Sequence, residues 1–205
     1  MSAGRVHLAQ GSLVVLEGLD RSGKTTQRDR LKRLDWITPA PVFTHMPSGL
    51  KQLTEGIYRL TEDATISSPL ARQLLHLACH AENVSALACA RAEGGVVLDR
   101  WWWSTVAYGW FAGRLADAGL AESVFFGLID AVWSQHPANL VFLFTNPYVH
   151  DTLNRDEVRD GYSRLAAQYP DVTVQVPVAE PDEVTNFLVT HLRDAGLLLS
   201  EDSSS

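Results

Sequence analysis

The sequence predicts an α/β fold: a five-stranded parallel sheet with helices on both faces. Three observations predict it. Short apolar segments alternate with helical stretches along the chain. Most of those segments are too uniformly apolar to have a wet face, the pattern of parallel strands covered on both sides. The glycine-rich string GLDRSGKT, residues 18–25, sits between the first such segment and a helix, where a ligand-binding turn belongs.

The elements follow in order. Residues 12–17 (SLVVLE) form the first strand, and a helix runs over 24–34 after the glycine-rich turn. Residues 41–45 (PVFTH) form the second strand, and 49–61 are helical. Pro69 opens a long helix, because proline is tolerated in a first turn. Leu70, Leu74, Leu77, Ala81, Val84 and Ala88 recur at three- and four-residue spacing and mark its apolar face. Gly94 and Gly95 stop it. Residues 96–99 (VVLD) form the third strand, with helical stretches over 104–118 and 121–134. Residues 140–144 (LVFLF) form the fourth strand, 148–168 a helix, 172–176 (VTVQV) the fifth strand and 181–195 the last helix. A single domain over residues 1–205 accounts for the whole pattern, with 1–11 and 198–205 expected as flexible ends.

Composition narrows the function. The chain is 46% hydrophobic and 20% charged, enough apolar residues for a real core and too many for disorder. A net charge of −7 argues against a broad nucleic-acid surface and leaves room for a local basic pocket. No apolar run approaches the ~18 residues of a membrane span. The opening MSAGRVHLAQGS is too polar for a secretion signal. Cys79 and Cys89 fall on one helix roughly 15 Å apart and cannot pair. The expectation is a reduced, cytoplasmic protein with small-molecule partners, no nucleic acid and no membrane.

GLDRSGKT matches G-x-x-x-x-G-K-[ST] in full, after a strand and before a helix. Glycines let the backbone wrap phosphate oxygens, and successive N–H groups with the helix N-terminus supply positive potential. Gly18, Ser22, Gly23, Lys24, Thr25 and Thr26 are the expected ATP phosphate-binding residues. Lys24 would reach the β- and γ-phosphates, and Thr25 would offer its hydroxyl to Mg²⁺.

The longer string LEGLDRSGKTTQ resembles the thymidylate kinases, which carry E-G-x-D/E-x-x-G-K-T/S-T-Q. VLDRWWWSTVAYG resembles their second signature, a strand ending in Asp-Arg-Tyr followed by Ser-x-x-Ala-Tyr or Ala-Phe. VFTHMPSG resembles the family's T-R-E-P-G-G loop more weakly. The resemblance implies the P-loop nucleoside monophosphate kinase fold with strand order 2-3-1-4-5; the stretch after strand four, TNPYVHDTLNRDEVRDGYSRL, leaves room only for a short lid. It implies ATP as phosphoryl donor, Mg²⁺, a nucleoside monophosphate acceptor and a homodimer. It places Asp20 at the acceptor sugar, and Lys24, Arg21, Asp99 and Arg100 around the transferring phosphoryl group. Thr25 and Asp99 would hold Mg²⁺, partly through water. Trp101, in the place of the family's tyrosine, is expected beside the acceptor phosphate, with Thr105 and Tyr108 facing the acceptor. Of Trp102 and Trp103, at least one is expected in the core or an interface.

This chain departs from the family pattern on the acceptor side. His45 and Met46 stand where the loop after strand two carries arginine and glutamate. His76 and His80 stand where the long helix carries a stacking aromatic and a base-binding arginine. His76, His80 and Asn83 share a helical face, which suits either a cleft-facing row or a solvated surface. Arg155 and Arg159 are the lid candidates, with pairing to Asp151, Asp156 or Asp160 on a surface helix as the other reading. Asp99 and Arg100 could likewise be a structural ion pair. The resemblance therefore implies phosphorylation of dTMP to dTDP. Two alternatives stand beside it: a same-fold kinase for a modified nucleotide or another small phosphorylated or phosphonate metabolite, and a non-catalytic nucleotide-binding module.

Overall fold

The computed structural model describes residues 5–63, 66–113, 115 and 117–201. Its elements are β1 (Val6–Leu8), β2 (Leu13–Gly18), α1 (Lys24–Leu31), β3 (Val42–His45), α2 (Gln52–Asp63), α3 (Pro69–Gly94), β4 (Val96–Asp99) and the short α4 (Trp102–Ser104). A π-helical segment, Thr105–Phe111, continues from α4. There follow α5 (Glu122–Trp133), β5 (Leu140–Phe144), α6 (Asp156–Gln168), β6 (Thr173–Gln175), α7 (Pro181–Asp194) and β7 (Leu198–Ser200).

The central sheet is parallel in the order β3-β4-β2-β5-β6. Those are the five expected strands in the expected order. Val14, Val15 and Leu16 of β2 are all fully buried, so the sheet has no wet face at its centre. Val15 joins Leu98, Leu143, Trp103, Phe125, Trp133 and Tyr162 on one face, under α3, α5 and α6. Val14 and Leu16 join Val97, Phe142, Leu31, Val184 and Leu188 on the other, under α1 and α7. The registers Leu16↔Asp99, His45↔Asp99 and Gly18↔Phe144 bring four strand ends to one edge.

Four expectations need correction. The chain ends are not loose throughout, because β1 pairs antiparallel with β7 through Val6↔Ser200 and Leu8↔Leu198. Val6, Leu8, Leu197 and Leu198 are buried there. The helix expected from residue 148 begins at Asp156. Asp151 holds 151–154 in a turn, its carboxylate accepting the Leu153 N–H at 2.9 Å and its carbonyl the Asn154 N–H at 3.1 Å. The stretch expected as one helix over 104–118 is π-helical through Phe111 and turns from Ala112. The fourth concerns α3, whose apolar stripe faces the core only in part: Leu77 is buried and Leu70 and Val84 pack on the core, but Leu74 and Ala81 do not. Leu74 is 47% exposed and Ala81 is exposed, while Gln73, Leu77, His80, Asn83 and Leu87 are buried. Packing of α2 and the loop after β3 against the polar row sets this rotation. Asn83 Nδ2 donates to Thr54 Oγ1 at 3.0 Å, and its Oδ1 accepts the Leu50 N–H at 2.8 Å.

Truncation after residue 196 should cost at least about 3 kcal/mol, because it strips two buried leucines and the partner of β1. Urea unfolding of the truncated and full chains measures the difference, and a change under about 1 kcal/mol would mean that the β1–β7 pair contributes little.

Candidate active site

The donor side is built from the turn between β2 and α1. Gly18 has φ +128°, and a Cβ there would lie 2.0 Å from the Phe144 carbonyl oxygen, so only glycine lets β2 turn beside β5. Arg21 and Gly23 also have positive φ, which curls the loop around its centre. Lys24 Nζ donates to the Gly18 carbonyl at 3.0 Å and to that of Leu19, inside the curl. Ser22 Oγ closes the loop on the Leu19 carbonyl at 2.7 Å. Thr25 Oγ1 donates to Asp99 Oδ2 at 2.8 Å, and Arg28 reaches the same oxygen at 3.3 Å. A cavity of about 440 Å³ is lined by residues 20–26, His45, Tyr58, Asp99, Arg100 and Tyr148. The hydroxyl of Thr25 and the carboxylate of Asp99 are hard oxygen donors at the loop mouth, a set that fits Mg²⁺ retaining most of its waters.

A second cavity of about 780 Å³ adjoins the first, sharing Asp20, Arg21, Tyr58 and Arg100 with it. Arg100 is in the left-handed region at φ +72°. Its guanidinium pairs with Asp20, donates to Ser104 Oγ at 2.8 Å and lies 5.4 Å from the Tyr108 ring centroid. Beneath it Glu17, wholly buried, accepts from the Trp101 N–H at 2.7 Å, the Ser104 N–H at 3.0 Å, Ser104 Oγ at 2.6 Å and Tyr162 OH at 3.0 Å. The segment after β5 straps onto the loop. Asn154 exchanges two 2.8 Å hydrogen bonds with the backbone of Asp20, and Arg21 pairs with Asp151 at 2.9 Å. Arg72, Gln73, His76, Thr105, Gly109 and Arg155 also line this second cavity.

The family model "Thymidylate kinase" matches residues 16–128, more than half of the chain. A thymidylate kinase of Prochlorococcus marinus (strain SARG) is 33% identical, over 95% of this chain and 100% of its own length. The chain belongs to the thymidylate kinase family. A probable thymidylate kinase of Thermococcus kodakarensis is 27% identical over 86% of this chain and 94% of its own. Among solved structures, the thymidylate kinase of Ehrlichia chaffeensis shares the fold at a TM-score of 0.73 and 23% identity, covering 90% of this chain and 100% of that one. The Candida albicans thymidylate kinase does so at 0.65 and 21%, covering 94% and 96%.

For this member of the thymidylate kinase family, most expected site residues meet at the sheet edge. Arg21, Ser22, Gly23, Lys24, Thr25, Thr26, His45 and Asp99 line the first cavity. His76, Thr105 and Tyr108 line the second, and Asp20 and Arg100 line both. Asp99 and Arg100 are not a mutual ion pair: Asp99 meets Thr25 and Arg28, and Arg100 meets Asp20.

Two acceptor-side expectations fail. His80 is fully buried with its ring edge-on to Trp133 at 5.6 Å, and it meets the site only through Thr105, Nε2 to Oγ1 at 2.8 Å. The inward rotation of the polar row on α3 puts it there. Trp101 is 6% exposed and packs on Trp102, Trp103 and Trp133, because the chain turns at Arg100 and sends the indole into the core. All three tryptophans of the run are core residues. The lid candidates divide. Arg155 lines the acceptor cavity and donates to the Ala112 carbonyl, while Arg159 is exposed, bonds the Thr145 carbonyl at 3.2 Å and lines neither cavity.

Sequence reasoning missed Glu17, Tyr58, Arg72, Gln73, Asn154 and Tyr162. Two of these carried a signal. Glu17 is an acid ending an otherwise apolar strand, and Gln73 extends the His76, His80, Asn83 row one step toward the helix start.

Burial sets the electrostatics. It lowers His45 and His76 to about 4, so both are uncharged near neutral pH. It lowers Lys24 to about 7, with Arg100 adding to the effect and Asp99 and Asp20 opposing it. A phosphate in the loop favours the ammonium form. ATP binding at about pH 8 should therefore take up most of a proton, and below about pH 6, where Lys24 is already charged, none. Titration calorimetry in buffers of different ionisation enthalpy reads this directly. The same small uptake at both pH values, after correction for the nucleotide's own protons, would refute the shift.

Proposed function

We propose that this chain transfers the γ-phosphoryl group of ATP to the 5′-phosphate of dTMP, giving dTDP and ADP. The observation that carries the reading is the meeting of the two cavities at Asp20, Arg21 and Arg100, where donor and acceptor phosphates would face each other. The bond from the γ-phosphorus to its bridging oxygen breaks as one forms from an acceptor phosphate oxygen, so charge builds on oxygens that two arginines and Lys24 surround. Little covalent chemistry is asked of the protein; positioning and charge neutralisation do the work. Lys24 exchanges its loop carbonyls for β- and γ-phosphate oxygens. Arg21 leaves Asp151 for the transferring group and supplies from the loop the charge that a short lid lacks. Arg100, fixed by Asp20 and Ser104, holds the acceptor phosphate. Tyr108 lies against the sugar, and Asp20 meets its 3′-hydroxyl. Mg²⁺ held by Thr25 and Asp99 would neutralise the β- and γ-oxygens.

Turnover of a nucleoside monophosphate panel with ATP and Mg²⁺, followed as ADP release, tests this. Activity on dTMP, with dUMP the next best, is expected. Activity confined to a different acceptor would move the chain to the modified-nucleotide reading, and ATP binding without turnover would make it a non-catalytic module. Lys24→Ala should lower kcat at least about 100-fold with the fold intact by circular dichroism.

The chain also works as a homodimer in this reading. Exposed Leu74 lies on α3 with exposed Ala78 and Ala81, small side chains that let a second copy approach closely. The helices packed on α3 add exposed Leu53 and Leu60 from α2, and Val124 and Leu128 from α5. Leu74→Glu should convert a dimer into a monomer in sedimentation velocity; a wild-type protein that sediments as a monomer at high concentration would exclude the dimer.

A further inference from the structure

We propose that Gln73 reads the acceptor's base by pairing with the imide edge of thymine, the N3–H and an adjacent carbonyl. The assignment rests on the dTMP reading and names the residue that would make it specific. The acceptor phosphate belongs where the two cavities join, at Arg21 and Arg100, and the sugar belongs at Tyr108. The base then reaches toward residues that line only the acceptor cavity, among them Arg72, Gln73, His76, Thr105, Gly109 and Gly113.

Among these Gln73 has a fixed and unspent amide. It is 4% exposed, so its side chain cannot swing freely, yet it lines the cavity. Its Nε2 donates to the Thr105 carbonyl at 3.1 Å, which sets the amide's orientation, since a flipped amide would face one carbonyl oxygen with another. Among the described residues its Oε1 has no hydrogen-bond partner. With the anti hydrogen on Thr105, Oε1 and the syn N–H would lie side by side toward a ligand. The imide edge offers the complementary pair: N3–H to Oε1, and a base carbonyl to the second Nε2 hydrogen. Thr105 Oγ1, held by buried His80 at 2.8 Å, stands beside it.

Gly109 makes room for this amide. A Cβ there would lie 2.1 Å from Gln73 Oε1 and 2.6 Å from its Cδ. Any side chain at 109 would push the amide off its seat. That gives two independent ways to disturb one contact, by removing the amide or by displacing it.

The experiment compares dTMP with 3-methyl-dTMP, which lacks the N3 hydrogen, in the full-length enzyme with saturating ATP·Mg²⁺. Wild type should prefer dTMP. Gln73→Leu should raise KM for dTMP roughly 10- to 100-fold and remove most of the preference. KM for ATP and the melting temperature should stay near wild type. Gly109→Ala should do the same in smaller measure and carries the test should the leucine variant not fold. Wild-type preference for dTMP persisting in either folded variant would overturn the assignment while leaving the kinase reading in place. A wild type that phosphorylates another acceptor and not dTMP would overturn both.

Discussion

The site depends on one carboxylate with no access to water. Glu17 ends β2, is wholly buried, and is met by Trp101, Ser104, Tyr162 and the Gly18 N–H, which lies 3.2 Å from Oε2. An uncompensated charge in such a place would cost several kcal/mol. Here the donors and the nearby Arg100 offset that cost, although burial still holds the group above the usual carboxylate range. The geometry has a consequence. Because the Trp101 and Ser104 N–H groups both point at Glu17 Oε1, the chain must turn sharply between β4 and α4, and Arg100 takes a left-handed backbone at the bend. The arginine proposed to hold the acceptor phosphate is thus aimed by a buried carboxylate that lines neither cavity.

The two halves of the site are prepared differently. On the donor side the charges already have partners: Lys24 sits on loop carbonyls, Arg21 on Asp151 and Thr25 on Asp99. In the proposed reading, nucleotide binding would exchange these contacts and would not need to create order. On the acceptor side a chain of net charge −7 concentrates arginines 21, 72, 100 and 155 around one cavity. Asp20, Glu62 and Asp151 line the same cavity, and Asp20 and Asp151 pair with Arg100 and Arg21, so Arg72 and Arg155 add positive charge beyond those two pairs and would favour a phosphorylated acceptor. The uncharged His76 of this cavity and His45 of the adjoining one supply shape and hydrogen bonding without adding charge.

What the sequence made legible was local. The glycine-rich turn can be read because its backbone demands are met by neighbouring residues, and Asp99 and Arg100 can be read because a strand of four apolar-to-acid residues delivers them. What stayed hidden depends on contacts distant in sequence. Val6–Leu8 reads as a polar-flanked end until Leu198 arrives to pair with it, 190 residues on from Leu8. The phase of α3 is the sharper case. Its leucine and alanine spacing is that of a buried stripe, but the loop after β3 and Thr54 of α2 offer polar groups that Asn83 satisfies. An unpaired buried polar group costs about 1–3 kcal/mol, comparable to burying a leucine, so the polar row shares the inward face with Leu77 and Leu87 while Leu74 and Ala81 turn out.

That rotation links the tryptophan run to the acceptor cavity. With His80 turned inward, its ring meets Trp133 on one side and Thr105 on the other. Trp101 and Trp103 pack at 6.3 Å in near-parallel rings, and Trp101 meets Trp133 edge-on at 5.6 Å, so the run at 101–103 clamps the base of α4. Large rigid rings lose little entropy on burial and fix what is attached to them. The π-helical segment that follows is wider than an α-helix, a geometry found often at functional sites. Its Thr105 carbonyl accepts from the Gln73 amide, and its Gly109 stands where that amide needs space. The bulk of the tryptophans is therefore structural, and its effect on the site is indirect: it holds still the wall against which an acceptor base would be read.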